Sequence, residues 1–351
     1  MGSSRFLKRY IYPYRIQAGH QLCHADFGIA HKTSGDFGKE KGSLMGFINF
    51  LVYLAIMMGI YGILSLSLNL QYGFTGLANF GQVAFFCLGA YVSTIIVLTF
   101  DMPFIFGLLG GMAVACVFGY VIAIPTANLK EDYWAIVTLS AAEIVRIFFL
   151  NEDWVVGGGP YVGGSFGVGG IPQPLRSLFS AHTYPFFYLA IVLVCLFATY
   201  IIINTLTQSP FGRVIKSIRE GGDNLPQAMG KNVKKFRVKV MAIGGSFGGL
   251  AGCLWAHFHG FISPDQFMPL ETFIVWAMVI VGGKANNKGA ILGAVVIMIF
   301  YNSTRFLKDY IPVEAVTLAS LRMVAIGILI VVAMLFMKEG FIKEKRVVYS
   351  K

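Results

Sequence analysis

Residues 42–100 read GSLMGFINFLVYLAIMMGIYGILSLSLNLQYGFTGLANFGQVAFFCLGAYVSTIIVLTF, and this stretch contains no Asp, Glu, Lys or Arg. Two further stretches, 102–129 and 177–212, are equally free of charged residues. About 20 apolar residues span a bilayer as an α-helix, and a charge at mid-bilayer costs about 2.5–3.5 kcal/mol on insertion scales. The sequence therefore predicts an all-α, polytopic membrane protein.

The composition of the whole chain agrees with this class. Of 351 residues, 56% are hydrophobic and 13% are charged, whereas soluble domains have about 45–50% apolar and about 25% charged residues. This excludes a soluble enzyme, a disordered protein and a secreted disulfide scaffold. Four of the five cysteines lie in apolar stretches, where a thiol behaves as a small hydrophobic group.

The apolar stretches define the domain organisation. We expect a polar, basic tail over 1–43, a transmembrane domain over 44–337 and a basic tail over 338–351. The first tail lacks the apolar core of a signal peptide. Nine stretches are candidate membrane helices: 44–68, 80–100, 103–127, 133–150, 185–206, 238–259, 268–283, 289–306 and 314–337.

The basic residues predict an orientation in the cell membrane. The net charge is +11, and 20 of the 28 basic residues lie in segments 1–43, 207–239 and 338–351, whereas 151–183 contains only Arg176. Cytoplasmic loops are enriched in Lys and Arg, so loop 207–239 and the C-terminus are predicted to be cytoplasmic and the Gly-rich loop 151–183 exterior. Membrane lipid head groups then account for the charge, and no nucleic acid partner is needed.

The first tail fits this orientation less easily. Five predicted crossings lie between it and the cytoplasmic loop 207–239, and an odd number of crossings would place this basic tail outside, against the charge rule. One solution is a tenth, broken crossing near 65–82, SLSLNLQYGFTGLANFGQ. This stretch is polar, uncharged and rich in glycine, and interrupted backbone at membrane depth must be buried in protein or line a cavity. The other interpretation is a short loop between two ordinary helices. We take its polar side chains as candidates for a translocation path: Asn69, Gln71, Thr75, Asn79 and Gln82.

Charged residues within the apolar stretches are few. Glu143 and Arg146 are three positions apart on one predicted helix, which favours an intramembrane ion pair over a proton relay. Glu271 and Arg322 can reach an interface by snorkelling.

Cys23 lies near three histidines, but their spacing matches no zinc motif, so we predict a solvated tail with neither a metal nor a cofactor.

The chain has no phosphate-binding loop of the GxxxxGK[ST] type, because its Gly-Lys pairs are followed by Glu40, Asn232 and Ala285. We therefore predict a transport subunit without its own ATPase rather than an enzyme.

Segment 209–239 predicts two short helices, suited either to docking into a partner or to the lipid surface. In the apolar stretch after it, Gly and Ala recur at four-residue spacing, which favours close packing within one bundle over a subunit interface.

Six segments in a fixed order resemble one known family. They are LNLQYGFTGLANFGQVAFFCLGAY (68–91), DYWAIVTLSAAEIVRIFF (132–149), GGGPYVGGSFGVGGIP (157–172), SPFGRVIKSIRE (209–220), GGLAGCLWAHFHGFISPDQF (248–267) and VIVGGKANNKGAILGA (279–294). The chain resembles the permease subunits of branched-chain amino acid ABC importers, in their LivM-like branch. The resemblance covers about Leu66 to Phe336.

This resemblance implies a fold and partners. The fold is a type II ABC importer permease with about nine or ten transmembrane segments, one of them broken near 65–82. The partners are a second homologous permease, two cytoplasmic ATPase subunits and an extracytoplasmic binding protein that delivers hydrophobic amino acids. The family's coupling loop ends in Gly, here NLPQAMG (224–230), in which Asn224 replaces an acidic residue and Pro226 a small one. The implied ATPase-coupling residues are Arg213, Arg219, Glu220 and Gly230.

Three alternatives remain at this point. A permease for urea or short amides has the same architecture and differs only in its solute. An ion-coupled secondary transporter needs intramembrane carboxylates, for which Glu143 and Glu271 are the candidates. A passive channel needs no partners and predicts flux through this chain alone.

Overall fold

The computed structural model describes residues 36–129, 131–152, 163–176, 179–180 and 183–310, with short pieces between 320 and 343. The chain divides into two compact units, 1–51 and 52–351, and the described part of the first unit is helical. The Cys23 and histidine grouping, Arg322 and most of the predicted stretch 314–337 lie outside the described residues.

The described residues are almost entirely helical, which confirms the predicted fold class. Two short strands, β1 (Val168–Gly169) and β2 (Phe261–Ile262), pair antiparallel. Eight of the nine predicted apolar stretches coincide with a helix to within about five residues, except that the first helix begins at Asp36 rather than near 44. The helices are α1 (Asp36–Leu68), α2 (Gln82–Thr99), α3 (Phe104–Thr126), α4 (Glu131–Asn151), α5 (Tyr184–Gln208), α6 (Pro210–Gly221), α7 (Asn224–Ala228), α8 (Val233–His259), α9 (Pro269–Gly282) and α10 (Asn287–Tyr310).

Length and composition identify the membrane-spanning elements. Among the described residues, 6 helices are long and apolar enough to cross a bilayer, namely α1, α2, α3, α4, α5 and α8. The helices α9 and α10 contain shorter apolar segments, Pro269–Gly282 and Asn287–Asn302. The chain is thus a multi-pass membrane protein.

Local sequence signals set several helix ends. Pro210 and Pro269 occupy the first turns of α6 and α9, where the missing N–H costs nothing. Asn232 caps α8 by accepting a hydrogen bond from the Lys235 amide at 3.1 Å. The same helix ends at Gly260, whose φ of 69° is left-handed.

The centre of the fold is a close packing of α2, α3 and α8. A Cβ atom on Gly252 of α8 would lie 1.9 Å from the carbonyl oxygen of Phe86 in α2, and one on Gly249 would lie 2.9 Å from that of Gly111 in α3. In lipid, the burial of apolar side chains does not favour the association of helices. Helices associate there through small residues, which let their backbones pack closely. The predicted small-residue face of α8 therefore packs within this chain.

Contacts between helix pairs give their directions. Gly119 of α3 lies against Met241 of α8, and Gly111 of α3 lies against Cys253 of α8, so α3 and α8 run antiparallel. Gly111 of α3 also lies against Gly89, whereas Gly107 lies against Ser93. The contacts thus run forwards along α2 and backwards along α3, so α3 is antiparallel to α2 as well, and α2 and α8 run in the same general direction.

The predicted break in the first apolar region is present, and it joins two antiparallel helices. Tyr61 of α1 contacts Phe86 of α2, with ring centroids 6.2 Å apart, and Gln82 at the start of α2 donates to Ser67 Oγ at 2.7 Å. Of the two interpretations left open by the sequence, the structure favours a connection between helices. Unlike an ordinary loop, this connection has its polar side chains buried.

Segment 163–173 lies at the end of α8 opposite to α6 and α7. Ile171 N–H donates to the carbonyl of Gly260 at 3.2 Å, and Gln173 Nε2 donates to the carbonyl of Phe258 at 3.1 Å. The beginning of α8 instead adjoins α7. Segment 163–173 of the Gly-rich loop and the basic loop are therefore at opposite ends of the helices.

Candidate functional site: the broken helix and the coupling loop

The break begins with a π-helical turn, Asn69–Gly73, directly after α1. Phe74 N–H donates to Asn69 O at 3.0 Å, and Leu77 N–H donates to Gln71 O at 3.0 Å. The chain then continues without regular structure until Gln82, through Gly76 at a left-handed φ of 79°. Single π turns inside helices are common at functional sites, and we call residues 69–81 the broken segment.

Three of the predicted path residues meet in one buried cluster. Asn79 Nδ2 donates to Gln71 Oε1 at 2.6 Å and to Gln82 Oε1 at 3.0 Å. Gln82 Nε2 donates to Ser67 Oγ, and Ser67 in turn donates to the carbonyl of Gly244 in α8 at 2.6 Å. These four polar side chains are completely buried. We call Ser67, Gln71, Asn79 and Gln82 the amide cluster.

The other two predicted path residues lie apart from this cluster. Asn69 Oδ1 accepts from the Ala285 amide at 3.0 Å, and its Nδ2 donates to Asn287 Oδ1 at 3.3 Å. Thr75 Oγ1 donates to the carbonyl of Leu70 at 3.1 Å. Asn69 thus holds the turn between α9 and α10, whereas Thr75 stabilises the broken segment itself.

The opposite face of the broken segment is only partly covered. Tyr72 and Phe80 are half-buried, whereas the amide side chains of the neighbouring Gln71 and Asn79 are completely buried. Phe80 stacks on Trp276 of α9, with ring centroids 4.5 Å apart and an interplanar angle of 11°. The indole N–H of Trp276 donates to the carbonyl of Asn79 at 2.9 Å, and Phe273 beside it is 42% exposed. We call Tyr72, Phe80, Phe273 and Trp276 the aromatic row.

The loop between α5 and α8 contains the predicted coupling residues. Ile215 and Ile218 form the buried stripe of α6, in agreement with the amphipathic pattern of the sequence. Three of the four predicted coupling residues are exposed: Arg213, Glu220 and Gly230. The fourth, Arg219, points inward instead, and its Nη1 donates to the carbonyl of Gly73 at 2.6 Å.

An ion pair joins this loop to two membrane helices. Arg237 of α8 donates to both carboxylate oxygens of Asp223, at 2.8 and 3.2 Å. The same guanidinium donates to the carbonyl of Ala127 at the end of α3 at 2.9 Å. Asp223 immediately precedes α7, so this pair fixes the position of α7 relative to α3 and α8.

Three carboxylates, Glu143, Asp265 and Glu271, have a partner in the structure. Arg146 Nε donates to the Glu143 carboxylate at 3.0 and 3.1 Å, and Arg146 Nη1 lies 3.8 Å from Asp265 Oδ1. The hydroxyl of Tyr61 donates to Glu271 Oε2 at 2.9 Å. Within the part of the chain that the structure describes, no group of three or more His, Cys, Asp or Glu could hold a metal ion.

Sequence reasoning missed several members of this site. Ser67 lay within the quoted polar stretch and was polar at the right depth, so its signal was available. Asn287 lay in the segment ANNK (285–288), whose asparagines are also unusual between two apolar helices. Trp276 and Gly244 carried no such signal, because an aromatic or small residue in an apolar helix is ordinary.

Comparisons with known proteins match nearly the whole membrane region. Residues 50–334 match the family model described as branched-chain amino acid transport system, permease component. A probable branched-chain amino acid transport permease protein LivM of Methanocaldococcus jannaschii is 29% identical over 342 residues, covering 86% of this chain and 95% of the relative. High-affinity branched-chain amino acid transport system permease proteins LivM of Salmonella typhimurium and Escherichia coli are each 28% identical, covering 84% of this chain and 70% of the relative. No solved structure matches the chain significantly.

Proposed function

The chain belongs to the family of branched-chain amino acid transport permeases, and on that premise we propose that it is the membrane-spanning subunit of an ABC importer for branched-chain amino acids. The family match over residues 50–334 carries this proposal, since it covers the helices, the broken segment and the coupling loop together. ABC transport systems of this kind work with ATPase and binding-protein partners. The named relatives are permeases for branched-chain amino acids, which favours this solute over urea or short amides.

The proposed assembly contains a second homologous permease, two cytoplasmic ATPase subunits and an extracytoplasmic solute-binding protein. An ATPase subunit would dock on α6 and α7, where Arg213, Glu220 and Gly230 are exposed. The chain has no GxxxxGK[ST] loop, so ATP hydrolysis has to occur in those subunits. The chain itself is then a subunit that changes conformation during transport, and not an enzyme.

We place the translocation path along the broken segment. The polar side chains of this segment are buried, whereas Tyr72 and Phe80 on its other face are only half-buried in the chain. The predicted path residues Asn69, Gln71, Thr75, Asn79 and Gln82 would form the inner wall of this path and fix its shape. The aromatic row would form its surface, which suits a solute with an aliphatic side chain.

The proposed orientation places the C-terminus and loop 207–239 in the cytoplasm and loop 151–183 outside. Phe341 N–H donates to Val281 O at 2.9 Å, and Ile342 N–H donates to Gly282 O at 3.1 Å. These contacts bring Phe341 and Ile342 of the C-terminal tail to the turn that Asn69 holds, at the same end as α6. The shared end supports a cytoplasmic location for both basic segments. The division into tails 1–43 and 338–351 around a transmembrane domain 44–337 stays a prediction.

An ion-coupled secondary transporter is less favoured than an ABC permease. Such a transporter needs a carboxylate that binds and releases ions at a midplane site. The candidate Glu143 is held by Arg146 in an ion pair, and Glu271 accepts a hydrogen bond from Tyr61. Both carboxylates thus have structural partners.

The test is reconstitution of the chain with its partner subunits in liposomes. We expect leucine uptake that requires ATP inside the ATPase-facing compartment and the binding protein on the other side. Ionophores that collapse ion gradients should leave the rate of leucine uptake unchanged. Uphill accumulation, or simple flux, in liposomes that contain this chain alone would contradict the proposal.

A further inference from the structure

The side chain of Arg219 points into the protein, whereas the other proposed coupling residues are exposed. It is 20% exposed, compared with 68% for its neighbour Glu220. Its Nη1 donates to the carbonyl of Gly73 at 2.6 Å, and its Nη2 donates to Glu220 Oε1 at 2.9 Å. One guanidinium therefore connects an exposed carboxylate of the coupling loop with the backbone of the broken segment.

The acceptor on the membrane side is the last residue of the π turn. Carbonyls at a helix end lack an intrahelical partner, and a charged donor gives a stronger hydrogen bond than a neutral one. Gly73 also lies against Asn69 and Ala285, because a Cβ at this position would be 2.1 Å from Asn69 Oδ1 and 2.7 Å from Ala285 N. A displacement of Gly73 must therefore move Asn69 or the turn between α9 and α10.

Two further contacts join the same helix to the broken segment. A Cβ on Gly76 would lie 3.4 Å from Arg219 Cγ and 3.6 Å from its Cα, which is ordinary van der Waals contact. The ammonium of Lys216, one turn earlier on α6, lies 5.5 Å from the centre of the Phe74 ring. Residues 73–76 thus contact α6 through Lys216 and Arg219. Arg213 and Glu220 of the same helix are exposed instead.

We propose that Arg219 is a positioning residue that transmits movement of the coupling loop to the broken segment. This inference rests on the proposed function, since an ATPase subunit has to act on α6 and α7. When the subunit displaces α6, the bonds of Arg219 make Gly73 follow, and the π turn then carries the displacement to Asn69 and the amide cluster. Arg219 touches neither ATP nor the solute in this scheme.

The assembled transporter in liposomes tests this role, with ATP hydrolysis and leucine uptake measured on the same vesicles. In Arg219→Gln the guanidinium is lost, so we expect hydrolysis to continue while the uptake per ATP falls about tenfold, within the usual range of coupling between distant sites. Arg219→Lys keeps the charge but not the planar fork that serves two acceptors, and should be intermediate.

The matched control is Lys235→Gln, which removes one positive charge from an exposed position near the same loop. It should leave the uptake per ATP unchanged. A wild-type ratio in Arg219→Gln would overturn the inference, and so would a loss of hydrolysis and uptake in equal proportion, because a merely structural role lowers both. If instead the unaltered transporter takes up leucine without ATP, the proposed function itself fails.

Discussion

The side-chain oxygen of Asn69 accepts a hydrogen bond at 3.0 Å from the amide of Ala285, although 216 positions separate the two residues in the sequence. Ala285 has a φ of 56°, in the left-handed region that residues with a side chain rarely adopt. Asn69 therefore holds the turn between α9 and α10 in a strained conformation. The break in the first apolar region and this later turn form one structural unit.

Replacing Asn69 with Leu should destabilise the protein. The amide of Ala285 is left without its acceptor, which costs about 1–3 kcal/mol for a buried group. Equilibrium unfolding in mixed micelles measures the change in the free energy of unfolding. Asn151→Ala is the control, because this exposed side chain bonds only within its own helix, and it should change the stability by less than about 0.5 kcal/mol. Equal stability of both variants would contradict the role of Asn69.

The glycine contacts of α8 predict a destabilisation of similar size. In Gly252→Ala, the new Cβ would lie 1.9 Å from Phe86 O and 2.8 Å from Phe86 C. Helices α2 and α8 would have to separate, which costs about 1–3 kcal/mol for an overpacked core. The control Gly46→Ala has no described atom within 4 Å of the new Cβ, and it should be neutral or slightly stabilising because Ala favours helix. Size-exclusion profiles after heating distinguish the two variants.

Two tyrosines on α5 offer a matched pair. The hydroxyl of Tyr188 donates to Leu254 O at 2.5 Å, whereas the buried hydroxyl of Tyr184 has no partner among the described groups. Tyr188→Phe should therefore lose about 0.6 kcal/mol, the average for a hydrogen bond between membrane helices. Tyr184→Phe should be neutral or stabilising. Both free energies can be measured by equilibrium unfolding, and the reverse order would exclude this assignment.

Loss of Arg237 should loosen the coupling loop. Arg237→Gln removes the donors to Asp223 and Ala127, so α7 is no longer fixed to α3. We expect faster hydrogen exchange in residues 222–232 and a stability lower by about 1–3 kcal/mol, as for other partly buried polar groups that lose their partner. Lys234→Gln, at an exposed position of the same helix, should alter neither. Unchanged exchange in Arg237→Gln would show that the ion pair does not position α7.

Uptake measurements on two tryptophan variants test the aromatic row. Trp276→Phe keeps an aromatic ring beside Phe80 but removes the N–H that bonds Asn79 O, and we expect lower leucine uptake because the broken segment is no longer fixed. Trp134→Phe loses a buried N–H that has no partner among the described residues, and it should retain uptake. If both variants transport equally well at equal expression, the bond from Trp276 to Asn79 does not fix the broken segment for transport.

Asn79→Leu tests the amide cluster in the same assay. This substitution removes the donor to Gln71 and Gln82 and the acceptor for Gly81 N–H. We expect a strong loss of uptake, whereas Thr75→Val, which removes a single local bond to Leu70 O, should lose less. Unchanged uptake in Asn79→Leu would remove this residue from the proposed path.

The positions of the helices could be predicted from local sequence. Eight apolar stretches coincide with helices because the cost of a charge in the bilayer acts on each residue separately. The break was also predictable, since Asn69, Gln71 and Asn79 are polar among apolar neighbours. The grouping of these side chains was not, because Asn69 bonds to a turn more than 200 positions away, whereas Gln71 bonds to Asn79.

The sequence by itself determined that the chain spans the membrane, where the apolar helices of the described region lie, and where polar side chains interrupt the first apolar region. Only the tertiary structure decided which face of that region is buried and that Arg219 points toward Gly73 rather than outward. Hydrophobicity is a sum over individual residues and can be read along the chain. The direction of a side chain depends on which distant backbone group needs a hydrogen-bond partner, and that is known only once the helices have packed.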